Sequence, residues 1–238
     1  MSNINRLNAV LLKHMLVDSS NMKLSLCLIN DILSIDKNLP PLRDLSLVGC
    51  KIIRPLDSIR IGINLFTNFR FEGHNEIDLI FYGNYMDPEF MYFIQDMNEG
   101  TIVNLISGAQ SHKIYTLKIV NFDVAKHPDE YPIVNCLTHN GEIVDNLKFI
   151  AYEIPQFEEN VKNSNKQIID FTNMERWLAY FSRATTEDEI IELGKIDERI
   201  ALALSLEKDF FSEEKNVLEY EKIEKENFDA IEVTKRVY

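Results

Sequence analysis

Residues 75–95 read NEIDLIFYGNYMDPEFMYFIQ, and this stretch decides how the middle of the chain is interpreted. It holds two runs of β-branched and aromatic residues, EIDLIFY and MYFIQ, on either side of the turn-prone piece GNYMDP. Such runs, bounded by turn residues, predict two successive strands. Asp78 lies in the first predicted strand and Gln95 closes the second. Polar groups at facing strand ends can bind a metal ion, so the stretch predicts a metal site or the remains of one.

The sequence on both sides of this stretch predicts an α/β protein. Apolar residues at helical spacing over 3–17 and 22–35 predict an N-terminal helical pair, which Pro40 and Pro41 end. Strand-like runs continue from about 45 to 122, with one helix-forming piece, GTIVNLISGAQ, set between them. Two more strand-like segments follow from 131, and then an amphipathic helix capped near Thr172. A helix between strands is typical of an α/β core rather than of a β sandwich.

Residues 186–238 are charged and helix-forming, and they predict a helical C-terminal extension. Glu and Lys at helical neighbour spacing, with Ile, Leu and Phe on the remaining face, describe exposed helices that pack along one stripe. We therefore divide the chain into a core with N-terminal helices, residues 1–185, and an acidic helical extension, residues 186–238. A solvated face is the simpler interpretation of this acidity, and binding of a partner is the alternative.

The chain is acidic and carries a formal net charge of −13. Because an acidic surface repels nucleic acids and anionic membranes unless a basic patch overrides it, DNA binding is doubtful and membrane binding is not expected. Between Phe71 and His112 there are seven acidic residues and no lysine or arginine. Three widely separated cysteines without metal-ligand spacing are typical of reduced thiols in a cytoplasmic protein. The N-terminal residues predict neither a signal peptide nor a membrane span.

Several motifs occur in an order that resembles one known family. They are CLINDIL at 27–33, IDL at 77–79, YFIQ at 92–95, YEIPQF at 152–157, ERWLAYF at 175–181 and SEEKNVLEYEKIEKENFDAI at 212–231. Taken together they resemble the PD-(D/E)XK nuclease family transposases, which include recombination-promoting nucleases. The resemblance implies a restriction-endonuclease-like core, that is, a mixed β-sheet flanked by helices. It also implies Mg²⁺-dependent cleavage of DNA in active members.

The resemblance assigns roles to individual residues. Asp78 takes the position of the metal-binding aspartate, and Gln95 takes the position of the motif lysine, which this family commonly fills with glutamine. Phe93 stands where the family has its glutamate, and a phenyl ring cannot bind a hard cation. Asp96 is a possible substitute for that glutamate if a β-bulge turns it toward Asp78. Without the resemblance, the better explanation of Asp78 is a sheet-edge or hydrogen-bonded residue of an apolar strand.

Three functions remain open on the sequence alone. The first is an active Mg²⁺-dependent DNA endonuclease that uses Asp78 and Gln95, with Asp96 or Glu76 as a further carboxylate. The second is a catalytically impaired relative that acts through protein contacts, with a second copy of itself or with a related family protein. The third is a regulatory or structural α/β protein without nucleic-acid activity. Loss of the motif glutamate, together with a shortened segment after Gln95 that lacks basic residues, favours the second, which needs no cofactor.

Overall fold

The structure is a computed structural model that describes residues 4–37, 39–53, 64–73, 75–83, 113–122, 132–139 and 142–235. The predicted strand MYFIQ and the predicted helix GTIVNLISGAQ lie outside these residues. Phe93, Gln95 and Asp96 lie outside them too. Within the described ranges, no helix is long and apolar enough to cross a membrane.

Six strands form one mixed sheet in the described part of the chain. They are β1 (Ser46–Ile53), β2 (Asn64–Phe71), β3 (Asn75–Tyr82), β4 (Ile114–Val120), β5 (Ile133–His139) and β6 (Glu142–Glu153). Their order across the sheet is β1-β2-β3-β4-β6-β5. The first three strands are antiparallel, β3, β4 and β6 are parallel, and β5 is antiparallel to β6. Parallel neighbours need crossover connections, so the architecture is that of an α/β protein.

The side chains of β3 alternate between the two faces of the sheet. Ile77, Leu79 and Phe81 are fully buried on one face, and Asp78 lies on the other. The chain turns into β3 through Glu72 and Gly73, which have φ angles of 41° and 88°. Glycine adopts this left-handed region without strain, which explains why EGHN separates two strands here. The alternation seen in the sequence EIDLIFY therefore fixes which residues face the core.

Seven α-helices accompany the sheet in the described residues. They are α1 (Ala9–Val17), α2 (Met22–Leu33), α3 (Ile154–Ser164), α4 (Asn173–Phe181), α5 (Glu187–Ile196), α6 (Glu198–Phe211) and α7 (Glu214–Lys235). The predicted N-terminal helical pair is confirmed, although α1 begins at Ala9 because the Asn8 side chain accepts hydrogen bonds from the amides of Val10 and Leu11. The predicted cap at Thr172 is also confirmed, since Thr172 and Glu175 form a reciprocal capping box.

The helices cover the face of the sheet that carries Ile77, Leu79 and Phe81. Helix α1 contacts β1 and β2, and Phe181 of α4 packs edge-on against Phe81 at 5.5 Å between ring centroids. Trp177 of α4 is 1% exposed and stacks on Phe181. Aromatic residues of this size bury a large apolar area, so α4 anchors the core between sheet and helices. The predicted class, an α/β protein with a mixed sheet and flanking helices, is confirmed.

Two of the three C-terminal helices, α6 and α7, pack on the N-terminal helices, and α5 packs on α6. Helix α6 contacts α1 and α2, and α7 contacts α1 and α6. Arg6, which is 2% exposed, forms ion pairs with Glu187 of α5 and Glu207 of α6. The hydroxyl of Tyr220 on α7 accepts a hydrogen bond from the backbone amide of Asn5 at 2.7 Å. The predicted C-terminal helices are thus present, and the division of the chain into 1–185 and 186–238 stays a prediction.

Candidate functional site

Asp78 lies on the sheet face opposite the helices, near the middle of β3. Its cross-strand neighbours in the register are Asn68 on β2 and Thr116 on β4. Glu76 precedes it by two residues on the same face, and Lys118 lies two residues beyond Thr116 on that face, paired with Ile80. This arrangement exists because three neighbouring strands each place a polar side chain on one face while their apolar neighbours enter the core.

The carboxylate of Asp78 is half-buried and hydrogen-bonded within the sheet. Asn68 Nδ2 donates to Asp78 Oδ1 at 2.8 Å. Burial raises the pKa of Asp78, the Asn68 hydrogen bond opposes this shift, and the like charge of Glu76 adds to it. One of the two carboxylate oxygens of Asp78 is therefore already engaged. The geometry fits the alternative in which Asp78 is a hydrogen-bonded residue of the strand, and its role as a metal ligand stays a prediction.

Lys118 is a buried cation on this face that sequence reasoning missed. It is 2% exposed, and its Nζ lies 4.6 Å from the ring centroid of Phe149 and 5.8 Å from that of Tyr82. These distances allow cation–π attraction to both rings. Burial lowers the pKa of Lys118 to about 8. In the sequence, Lys118 is a single lysine inside the apolar run IYTLKIV. Alternation along a strand is equally compatible with a lysine that points to solvent, so the sequence does not predict that Lys118 is buried.

The described residues do not by themselves make a magnesium site. Mg²⁺ prefers several oxygen ligands in octahedral geometry, usually with one or two carboxylates. No group of three or more His, Cys, Asp or Glu residues that could hold a metal is found among the residues described. Asp78 is brought together with Asn68 and Glu76, whereas the positions of Gln95 and Asp96 relative to it lie outside the described residues. The described donors include two carboxylates, Asp78 and Glu76, and these alone do not supply the several oxygen ligands that the ion prefers.

Two of the quoted motifs meet at a buried carboxylate that has a structural role. Asp31, from CLINDIL, accepts a hydrogen bond from Trp177 Nε1, from ERWLAYF, at 2.8 Å. Arg199 Nη1 donates to both oxygens of Asp31 at 2.9 and 2.7 Å, and Asn173 donates at 3.2 Å. Asp31 is 7% exposed and its partners come from α4 and α6, so the cluster joins three helices. Buried charges are tolerated when they are paired in this way.

The C-terminal motif also has a structural explanation. In SEEKNVLEYEKIEKENFDAI, the carboxylate of Glu224 accepts hydrogen bonds from Asn5 Nδ2 at 2.7 Å and from Asn8 Nδ2 at 2.9 Å. Asn8 also donates to the carbonyl oxygen of Tyr220 at 3.2 Å. The motif therefore docks α7 on the segment that begins α1, more than 200 residues earlier in the chain.

A sequence model of the PD-(D/E)XK nuclease family transposases matches residues 82–236, which is more than half of the chain. The mixed sheet with flanking helices is consistent with the restriction-endonuclease-like fold of that family. The matched range includes Phe93, Gln95 and Asp96 and begins four residues after Asp78. Neither a curated protein nor a solved structure matches the chain.

Proposed function

The chain belongs to the PD-(D/E)XK nuclease family transposases, and from this premise we propose that it is a catalytically impaired member that acts through protein contacts. The observation that carries the proposal is in the sequence: Phe93 stands at the position where the family motif has its second carboxylate, and the first carboxylate, Asp78, is hydrogen-bonded to Asn68. A hard cation needs charged or strongly polar oxygen ligands, and this pair of positions offers one at most.

Charge supports the same proposal. A nuclease has to bring a polyanion to its active site, and proteins do this with lysine and arginine side chains that release counterions. Around Asp78 the sequence from Phe71 to His112 contains seven acids and no lysine or arginine, and the whole chain has a net charge of −13. Among the described residues the Asp78 face also carries three basic side chains, Arg70, Lys51 and Lys118. Arg70 is paired with Glu76 at 3.7 Å, Lys51 lies on the edge strand β1, and Lys118 is 2% exposed and cannot contact a phosphate without rearrangement.

Lys118 is nevertheless the observation that favours the second candidate, an active Mg²⁺-dependent endonuclease. A buried cation on the same sheet face as Asp78 could stabilise negative charge that develops during cleavage. That candidate requires a second carboxylate, for which Asp96 is the proposed source. The third candidate, a regulatory or structural protein without nucleic-acid activity, differs from the proposal only in lacking any partner from the family.

Binding of a partner protein requires an exposed surface on this chain. The apolar residues Ile200, Ala203 and Phe210 of α6 are buried within the chain, so this part of the extension is already used for folding. On α7, Leu218 and Phe228 are 61% and 63% exposed. We propose that the protein acts through exposed apolar residues such as these, which contact a second copy or a related family protein in the cytoplasm, and that it does not act by cleaving DNA. Full-length protein is required to test these contacts, because removal of residues 186–238 would leave Arg6 without its partners.

Nuclease activity is tested by incubating the full-length protein with supercoiled plasmid and Mg²⁺ or Mn²⁺. We expect wild-type protein and Asp78→Ala to leave the plasmid equally intact, because Phe93 replaces the second carboxylate of the motif. Asp188→Ala is a matched control, since Asp188 is an exposed carboxylate on α5, away from the sheet. Robust metal-dependent nicking by the wild type and by Asp188→Ala, abolished in Asp78→Ala, would overturn the proposal and establish the active endonuclease.

A further inference from the structure

Strand β1 forms one edge of the sheet built by the described residues, and it presents apolar side chains to solvent. Leu47 is 39% exposed and Val48 is 50% exposed. An edge strand offers unpaired backbone groups for pairing with another strand, and natural proteins usually protect such edges with charges or proline. Here the exposed residues Leu47 and Val48 are apolar, and the nearest charges flanking them on β1 and just before it are Lys51, within the strand, and Asp44, two residues before the strand begins.

A β-bulge in β1 determines which side chains share a face. The pairing with β2 runs Ser46 to Arg70 and Leu47 to Phe69, and then skips Val48 so that Gly49 pairs with Asn68. Because of this extra residue, Ser46 and Lys51 lie on the same face of the sheet, although they are an odd number of residues apart. Asp44 precedes Ser46 by two residues and is exposed, whereas Leu45 between them packs against the core. Asp44 and Lys51 therefore share the face that also carries Asp78.

We propose that β1 pairs antiparallel with β1 of a second copy of this chain, about a two-fold axis between Leu47 and Val48. In this register Leu47 of one copy lies opposite Val48 of the other, twice, and Asp44 of one copy lies opposite Lys51 of the other, twice. A two-fold axis perpendicular to the sheet keeps each face continuous across the interface, so both members of every Asp44–Lys51 pair lie on the same face. The surface is self-complementary in both apolar contact and charge.

The dimer is expected to be weak. One strand pair buries less surface than a stable interface of standard size, exposed ion pairs contribute little, and each copy carries a net charge of −13. The bulge also interrupts the ladder near the axis, which limits the number of hydrogen bonds between the copies. Self-association should therefore depend on protein concentration and respond to single substitutions at the edge.

Sedimentation velocity of the full-length protein over about a hundredfold range of concentration measures this association. We expect a monomer–dimer equilibrium that Val48→Lys weakens at least about tenfold, because the substitution places two like charges at the centre of the interface. Val134→Lys is the matched control: Val134 is 44% exposed on β5, the opposite edge of the described sheet, and its replacement should leave the equilibrium unchanged. A wild-type protein that is monomeric throughout, or a dimer that Val134→Lys weakens and Val48→Lys does not, would overturn the proposal.

A charge exchange tests the register itself. Lys51→Glu places Glu opposite Asp44 of the other copy and is expected to weaken the dimer, whereas Asp44→Lys combined with Lys51→Glu restores opposite charges and is expected to recover it. A double variant as weak as Lys51→Glu alone would refute this register. The proposed dimer gives the protein contacts of the preceding proposal a surface, but plasmid nicking and sedimentation are independent readouts. A monomeric protein that does not cut DNA would overturn the dimer alone, and a dimer that cuts DNA would overturn the proposed function alone.

Discussion

Replacement of Arg6 by alanine is expected to destabilise the protein more than the loss of any exposed ion pair. The Arg6 guanidinium is enclosed by two carboxylates and a ring: Nε and Nη2 donate to Glu207 at 2.7 and 3.0 Å, Nη1 and Nη2 donate to Glu187 at 3.2 and 2.8 Å, and Cζ lies 5.0 Å from the ring centroid of Tyr180. Burial lowers the pKa of Arg6, but the hydrogen bonds to Glu187 and Glu207 outweigh it and raise that pKa. Arg6 stays charged at every pH at which the protein is folded.

The size of the effect follows from the burial of each partner. The Glu207 side chain is 8% exposed, so Arg6→Ala leaves a buried carboxylate whose remaining donor among the described residues is the Tyr180 hydroxyl, at 3.0 Å. Breaking a buried ion pair by removing one partner costs about 3–5 kcal/mol. The Glu187 side chain is 40% exposed and adds less than about 1 kcal/mol after solvent screening. We therefore expect a loss of about 3–5 kcal/mol in the free energy of unfolding.

Urea unfolding followed by far-UV circular dichroism measures this loss, and a fall of about 1–2 M in the midpoint is expected. The control is Lys195→Ala, which removes the ion pair of Lys195 with Glu192, whose side chains are 62% and 60% exposed. That substitution should cost less than about 0.5 kcal/mol. An equal effect of Arg6→Ala and Lys195→Ala would refute the reasoning, because it would mean that the contacts of Arg6 with α5 and α6 do not hold these helices on the N-terminal segment.

Two further predictions concern pH. Burial raises the pKa of Asp197, but hydrogen bonds from Arg199 and Arg176 outweigh this effect and lower that pKa to about 2. The stabilisation that ionised Asp197 gives to the fold is therefore present above pH 4 and lost as the pH falls toward 2. Asp197→Asn should remove about 2 kcal/mol of this pH-dependent part of the free energy of unfolding, measured by urea unfolding at several pH values. Lys118 has its pKa lowered to about 8 by burial, so the unfolded chain binds the extra proton and stability rises with pH between about 8 and 10.5. Lys118→Met should abolish that rise and stabilise the protein at pH 7 by about 1–3 kcal/mol, because it removes the cost of burying a charge. A destabilised variant would show that the attraction of Lys118 to the two rings outweighs that cost.

The sheet could be predicted because its signals are local. Alternation in EIDLIFY and the turn residues EGHN lie within one strand pair, and the structure forms β2 and β3 from them. The sequence predicts too early a start for α1, since Ile4 and Leu7 continue the apolar spacing while the Asn8 cap decides where the helix begins. The bulge at Val48 was not foreseen, because a bulge depends on the partner strand as well as on the sequence of β1.

The polar clusters could not be predicted, because their members are far apart in the chain. Arg6 and Glu207 are separated by 201 residues, and Asp31 and Trp177 by 146, so no sequence spacing links them. Lys118 was missed for a related reason: its burial depends on the rings of Phe149 and Tyr82, which come from two other strands. The candidate residue Asp78 was identified from its position in an apolar strand, but its hydrogen bond to Asn68 requires knowledge of the register.

The most direct test of the central claim is a calorimetric titration of Mn²⁺ into the wild-type protein and into Phe93→Glu. If Phe93 removed the second carboxylate beside Asp78, the wild type shows no saturable binding in the range where Phe93→Glu binds, and the affinity of the variant is at least about tenfold higher. Asp78→Asn in the Phe93→Glu background should abolish the gained binding. Tight Mn²⁺ binding by the wild type, lost in Asp78→Asn and unchanged in Phe93→Glu, would contradict the account.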